Sequence, residues 1–308
     1  MNIVVLGWKH ENHIVESWRP DTVEGLRQLG HRVTATLPND ETTVADIRHA
    51  ARDADMLLWL KDTPKSPDRE VRDCLRELES RGVVTVGLHM DLFHGLSPRQ
   101  DEIGKTAWWS CQYVFTADGG PRDWRGVNHR WFPPAFGTRY LGLAPTVERY
   151  RHQAVFVGRP IPRLHGRHRS ELLAWAEKTF GAGYALYGTR RDRKVWGWDL
   201  NRLYASADIV LGDSADAPYY WSDRIPRTLG RGGILAHPYV EGMDEQGFTD
   251  ETLIRFPRGE FDTILDRYTS MSDREIRDMR DAAITLIGER HTWKAAMERV
   301  LKEVGLCG

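Results

Sequence analysis

Tyr219-Tyr220-Trp221-Ser222-Asp223-Arg224-Ile225-Pro226-Arg227-Thr228-Leu229-Gly230-Arg231-Gly232-Gly233-Ile234-Leu235 is the stretch around which the rest of the chain falls into order. It passes from a polar loop through a short basic helix and a glycine stop into a buried strand. Ser222 and Asp223 suit an N-cap, and Pro226 is tolerated in a first helical turn, where its missing N–H would have no partner. Gly232 and Gly233 end the helix, and Ile234-Leu235-Ala236 open the strand. A helix start offers unpaired backbone N–H groups and a partial positive charge, both suited to a phosphate. Arg224, Arg227 and Arg231 fall on or near one helical face, because residues three and four apart are neighbours. An ordinary capped helix with solvated arginines fits the same spacing.

Outward from this stretch, strands and helices alternate. In the N-terminal half the pattern predicts strands over 2–7, 31–37, 56–60, 83–89, 113–116 and 128–133, with helices over 20–29, 43–52 and 67–80. Such alternation means βαβ units and a parallel sheet. A boundary is expected over 138–152. Beyond it, a strand over 154–160 ends in Gly158-Arg159, followed by a basic run of Arg159, Arg163, His165, Arg167, His168 and Arg169. Ser170-Glu171 then lead into an apolar helix over 172–180. A strand over 184–189, an amphipathic helix over 200–207, a strand over 209–211 and helices over 260–268, 273–289 and 292–304 complete the pattern.

Composition narrows the class. Hydrophobic residues at 41% and charged residues at 28% describe a soluble globular protein. A formal net charge of -1 supplies no global field toward nucleic acid or a membrane. Cys74, Cys111 and Cys307 are odd in number and lack metal-ligand spacing, which points to a reduced, cytoplasmic setting. No apolar run reaches the roughly 20 residues that span a bilayer, so no membrane insertion is expected.

Ligands of open parallel sheets sit beyond the C-terminal strand ends. Three such ends in the N-terminal half carry reactive side chains: Gly7 to His13, Lys61-Asp62, and His89 to His94. The first lacks the G-x-G-x-x-G fingerprint, so no bound NAD or FAD is inferred. Asp91 is the candidate base for an acceptor hydroxyl, and His10 and His13 are candidates for sugar or acceptor contact. Asp91 capping a turn or pairing with a neighbouring base is the alternative. Arg190 to Trp198 interleaves bases with aromatics, as a nucleic-acid contact would. A solvated loop with interface tryptophans fits equally.

The order Ser222-Asp223-Arg224, an apolar residue, then Leu229-Gly230, Gly232-Gly233 and a strand resembles the donor-site segment of group 1 glycosyltransferases, especially the CgeB-like branch. Leu200 to Leu211 and His291-Thr292-Trp293 extend the likeness. The resemblance implies an α/β GT-B fold, with two Rossmann-like domains facing across a cleft. It places an acceptor-side domain at 1–140, a nucleotide-sugar donor domain at 153–290, and a helix at 291–308 crossing back. It implies a nucleoside diphosphate sugar, UDP-sugar first, as co-substrate, with no tightly bound cofactor and no metal. Donor contacts would come from Gly158, Arg159, Arg163, Tyr187, Gly188, Ser222, Asp223, Arg224 and Arg227. One departure stands out: many relatives carry a ribose-binding glutamate where this chain has Arg227, and an arginine cannot accept those hydrogen bonds. Either Glu241 or Asp244 takes that role, or Arg227 faces phosphate. Some bacteriophages carry GT-B enzymes that glycosylate modified bases, which adds DNA to the acceptors to consider. A non-catalytic GT-B module binding a nucleotide or nucleic acid, and an epimerase-like enzyme, are the rival readings.

Overall fold

The structure, a computed structural model, describes residues 1–7, 18–38, 41–60, 65–96, 99–159, 162–188 and 194–306, without the side chains of 162–166. The chain divides into two compact units. One comprises Met1–Pro133 with Trp293–Gly308, the other Pro134–Thr292.

In the first unit, β1 (Asn2–Gly7) is followed by α1 (Trp18–Gln28), β2 (Arg32–Pro38), α2 (Val44–Ala50), β3 (Met56–Leu60), α3 (Asp68–Ser80) and β4 (Val84–His89). A short α4 (Arg99–Glu102) precedes β5 (Tyr113–Thr116) and β6 (His129–Trp131). The sheet is parallel throughout, in the order β2-β1-β3-β4-β5-β6. Central parallel strands are covered on both faces and so read as unbroken apolar runs. β3 fits this, with all five residues buried, whereas the edge strand β2 alternates between exposed and half-buried positions. Thr43 and Asp46 form a reciprocal capping box that starts α2.

The second unit repeats the plan. β7 (His152–Val157), α5 (Pro162–Phe180), β8 (Tyr184–Tyr187), α6 (Gly197–Ser206), β9 (Ala207–Leu211), α7 (Arg224–Leu229), β10 (Leu235–Pro238) and β11 (Ile254–Phe256) lead to α8 (Asp262–Ser270) and α9 (Asp273–Arg290). Its parallel sheet runs β11-β10-β9-β7-β8. The last helix, α10 (Trp293–Glu303), returns to the first unit and packs on α1. The approach is close: a Cβ placed on Gly25 would lie 2.8 Å from the Trp293 carbonyl.

Three expectations are revised. Residues 138–152, expected as the boundary after a first domain at 1–140, lie within the second unit, which starts at Pro134. Asn201 Nδ2 donates to the carbonyls of Tyr140 and Gly142, at 2.8 and 3.3 Å, and ties that stretch down. The helix expected over 172–180 starts earlier: α5 begins at Pro162, within the basic run. Arginine is a good helix former, and proline fits a first turn. β11 is an additional strand, buried at Ile254 and Phe256.

Candidate functional site

In the second sheet the chain runs from β7 out to β8, then returns to the other side of β7 as β9. The crevice beyond the strand ends at such a reversal is the usual ligand position in open α/β sheets. Gly158 follows β7, Gly188 follows β8, and Asp213 stands two residues past β9. Gly158 has φ +151° and Gly188 φ +90°, conformations that favour glycine. Gly158 N donates to the Tyr187 carbonyl at 2.9 Å. The Tyr187 hydroxyl lies 3.0 Å from His152 Nε2.

Beneath these strand ends sits a buried ionic group. Asp213 is 0% exposed. Arg169 Nε donates to its two carboxylate oxygens at 2.9 and 2.7 Å, and Arg224 Nη1 to Oδ1 at 3.1 Å. Arg224 Nη1 also meets the Asp213 carbonyl at 3.1 Å, as does the Ser222 hydroxyl at 3.3 Å. Both guanidinium groups lie over the Phe156 ring, at 4.5 Å for Arg224 and 5.4 Å for Arg169. Burial pushes the Asp213 carboxyl up, but Arg224 and Arg169 together outweigh it and hold it below the usual carboxylate range. Two guanidiniums against one carboxylate leave this group with a positive charge.

The arginines also grip the strand end. Arg224 Nη2 donates to the Val157 carbonyl at 3.0 Å, and Arg169 Nη1 to the Arg159 carbonyl at 2.9 Å. A Cβ on Gly158 would lie 2.7 Å from Arg224 Nη2. The glycine therefore makes room for an arginine.

The expected helix start takes a different form. Asp223 occupies the N-cap position of α7 in helical conformation, with no side-chain cap bond, and instead pairs with Arg227 Nη1 at 3.1 Å. Ser222 Oγ accepts from Arg224 N at 3.3 Å. Arg227 is half-buried, and Arg159 is exposed. Arg231 is fully buried: it donates to Asn201 Oδ1 at 2.8 Å and to the Arg227 carbonyl at 3.0 Å, over the rings of Phe136 and Tyr140. Spacing alone grouped the three arginines on one face, but α7 ends at Leu229, so Arg231 leaves that face for the interior. Of the two carboxylates considered for ribose, Asp244 is paired with Arg255 and Glu241 is exposed. The side chain of Arg163 lies outside the described residues.

At the β4 end of the first sheet, Asp91 pairs with Arg99 Nη1 at 2.7 Å and stands 3.8 Å from His89 Nδ1. His10, His13, Lys61 and Asp62 lie outside the described residues. Past β5, Asp118 is fully buried and accepts from Phe93 N at 3.0 Å, His94 N at 2.8 Å and the Thr116 hydroxyl at 2.9 Å. Burial lifts its pKa despite these donors. His129 Nε2 meets the same hydroxyl at 2.9 Å while its ring stacks on Trp124.

Residues 152–302 match the glycosyl transferase-like family. The match takes in the whole of the second sheet and the helices that follow it. No curated protein sequence is significantly similar to the chain. Among solved structures, an alpha-glucosyltransferase in complex with UDP and a 13-mer DNA containing a central A:G mismatch is similar with a TM-score of 0.71 at 12% identity, covering 99% of this chain and 100% of its own. HepE from Anabaena in complex with UDP is similar with a TM-score of 0.57 at 11% identity, covering 100% of both chains. Sucrose-phosphate synthase from Thermosynechococcus elongatus has a TM-score of 0.59 at 10% identity, covering 99% of both. At these identities the likeness establishes the fold, which is GT-B. No described helix is long and apolar enough to cross a membrane.

In the glycosyl transferase-like half, Asp213 and Arg169 are the members of the buried group that sequence reasoning did not single out as site residues. The available signals were an acidic residue right after a strand-end glycine, Leu211-Gly212-Asp213, and the last arginine of a basic run.

Proposed function

We propose that the chain transfers a sugar from a nucleoside diphosphate, UDP-sugar being the first donor to test, to an acceptor hydroxyl. The observation that carries this reading is the positively charged Arg169–Asp213–Arg224 group under the Gly158 strand end, inside the half that matches the glycosyl transferase-like family. When the sugar leaves, negative charge builds on the β-phosphate. Preorganised positive groups stabilise such charge without reorganising at the moment of reaction. Arg159, Arg163 and Arg227 are assigned to direct phosphate contact, with backbone at Gly158 and Gly188. Ser222, Asp223 and Tyr187 are assigned to the walls of the donor pocket. Arg224 spends its donors on Asp213 and Val157, so its role is to hold the site. With Asp244 engaged by Arg255, Glu241 is assigned to the ribose. In the first unit Asp91 is assigned as the base that takes the acceptor proton, and His10 and His13 as acceptor contacts. DNA is among the acceptors to test, because one structural neighbour was solved with DNA.

A second reading is a module that binds a nucleotide without turning it over. It is favoured by Arg227, engaged with Asp223 where relatives carry a ribose-binding carboxylate. Release of nucleoside diphosphate from a panel of UDP-, GDP-, ADP- and TDP-sugars, with and without candidate acceptors including hydroxymethylated DNA, separates the two. Acceptor-dependent release supports transfer. Donor binding without release supports the second reading, and neither binding nor release contradicts both.

A further inference from the structure

The carbonyls on both sides of Gly158 are held from below. Val157 O accepts from Arg224 of α7, and Arg159 O from Arg169 of α5. Both arginines are anchored on one carboxylate, at contacts between 2.7 and 3.1 Å. The side chains are almost closed to solvent: Asp213 is 0%, Arg169 5% and Arg224 11% exposed. A carbonyl oxygen carries partial negative charge, so one turned toward a diphosphate would repel it. Tying two carbonyls onto buried guanidinium groups keeps their dipoles directed into the protein. Gly158 completes the arrangement, because a side chain there would displace Arg224.

We infer that Asp213 is a positioning residue for the donor diphosphate: it touches no donor atom, and it fixes the Val157–Arg159 backbone through Arg169 and Arg224. This rests on the donor reading above. In the absence of the Asp213 carboxylate the two guanidiniums repel each other and lose their shared anchor, leaving only their bonds to backbone carbonyls and the Phe156 ring to hold them beneath the strand end. The diphosphate part of the ligand then loses its binding surface, while the nucleoside part keeps its own.

The test compares affinities for a nucleoside diphosphate and for the matching nucleoside. UDP, GDP, ADP and TDP are titrated into wild type by calorimetry, and the tightest is carried forward with its nucleoside. Asp213→Asn keeps the shape and removes the charge. Arg169→Lys keeps a charge beside Asp213 but cannot also reach the Arg159 carbonyl, and it decides the matter where Asp213→Asn fails to fold. The expected result in both variants is a loss of diphosphate affinity of roughly 10- to 100-fold, the scale of one or two charged hydrogen bonds, with nucleoside affinity retained. A parallel fall in both affinities, or no fall in either, overturns the inference. If wild type binds no nucleoside diphosphate at all, the donor reading itself fails and the inference falls with it.

Discussion

Arg169 Nε donates to both carboxylate oxygens of Asp213, at 2.9 and 2.7 Å, between side chains that are 5% and 0% exposed. Removing one partner of such a buried pair leaves an uncompensated charge, which typically lowers stability by about 3–5 kcal/mol. Asp213→Ala is expected to show a loss of that size in urea unfolding. Asp216→Ala removes a carboxylate from a pair with Arg258 in which Asp216 is 86% exposed, and it should change stability by less than about 1 kcal/mol. Equal effects would mean that the Asp213 group is not tied into the fold. Because the folded Asp213 carboxyl is held below its ordinary value, its contribution is present at neutral pH and is lost as pH falls through the folded value.

Gly25 supplies a second, independent test of packing. In an exposed helix, glycine to alanine gains about 1 kcal/mol. Here the new Cβ would lie 2.8 Å from the Trp293 carbonyl. Gly25→Ala should therefore destabilise, by about 1–3 kcal/mol, seen as a lower urea midpoint. A gain in stability would show that α10 does not dock on α1 this closely.

Two imidazoles should shape the acid limb of stability. Burial lowers His129 from 6.5 to about 3 and His237 from 6.5 to about 4. Below pH 6.5 the unfolded chain takes up protons that the folded chain refuses. The stabilisation by each neutral imidazole is thus complete above that pH and is lost as pH falls toward the folded value. Each contributes a slope of up to about 1.4 kcal/mol per pH unit. The double variant His129→Phe, His237→Gln should show a shallower fall in unfolding free energy between pH 6.5 and 4 than wild type. An unchanged slope would mean these rings are protonated in the folded state.

Asp91 and Arg227 separate chemistry from donor binding. A positioned general base contributes about 10²–10⁴-fold to the rate, so Asp91→Asn should lower kcat on that scale with the donor Kd unchanged. Arg227→Ala should do the reverse, weakening the diphosphate by about tenfold, the scale of one charged hydrogen bond. Loss of donor affinity in Asp91→Asn would remove the base assignment, and retained affinity in Arg227→Ala would remove the phosphate assignment.

The two parallel sheets were legible because covered strands such as Met56–Leu60 must be unbroken apolar runs. β11 was not, since Ile254–Phe256 is too short to show a period. The start of α5 was hidden because charge marks neither helix nor loop. Gly158 was legible as a strand-end glycine, but what fills the space beside it was not. The partners of Asp213 lie 44 and 11 residues away along the chain, and only the reversal of strand order between β7 and β9 brings them together. Arg231 shows the same limit: helical spacing put it with Arg224 and Arg227, while its partner Asn201 is 30 residues away and draws it inside.

The most direct measurement on the central claim is a thermal-shift panel of UDP, GDP, ADP, TDP and their common sugars, on wild type and Arg227→Ala. A ligand that binds only the folded state stabilises it by about 2.7 kcal/mol at a concentration of about 100 times Kd. The expected result is that one nucleoside diphosphate, UDP first, raises the wild-type Tm and raises it less in Arg227→Ala. No shift with any nucleotide or nucleotide sugar, with or without candidate acceptors, would contradict the assignment of the second unit as a nucleotide-sugar site.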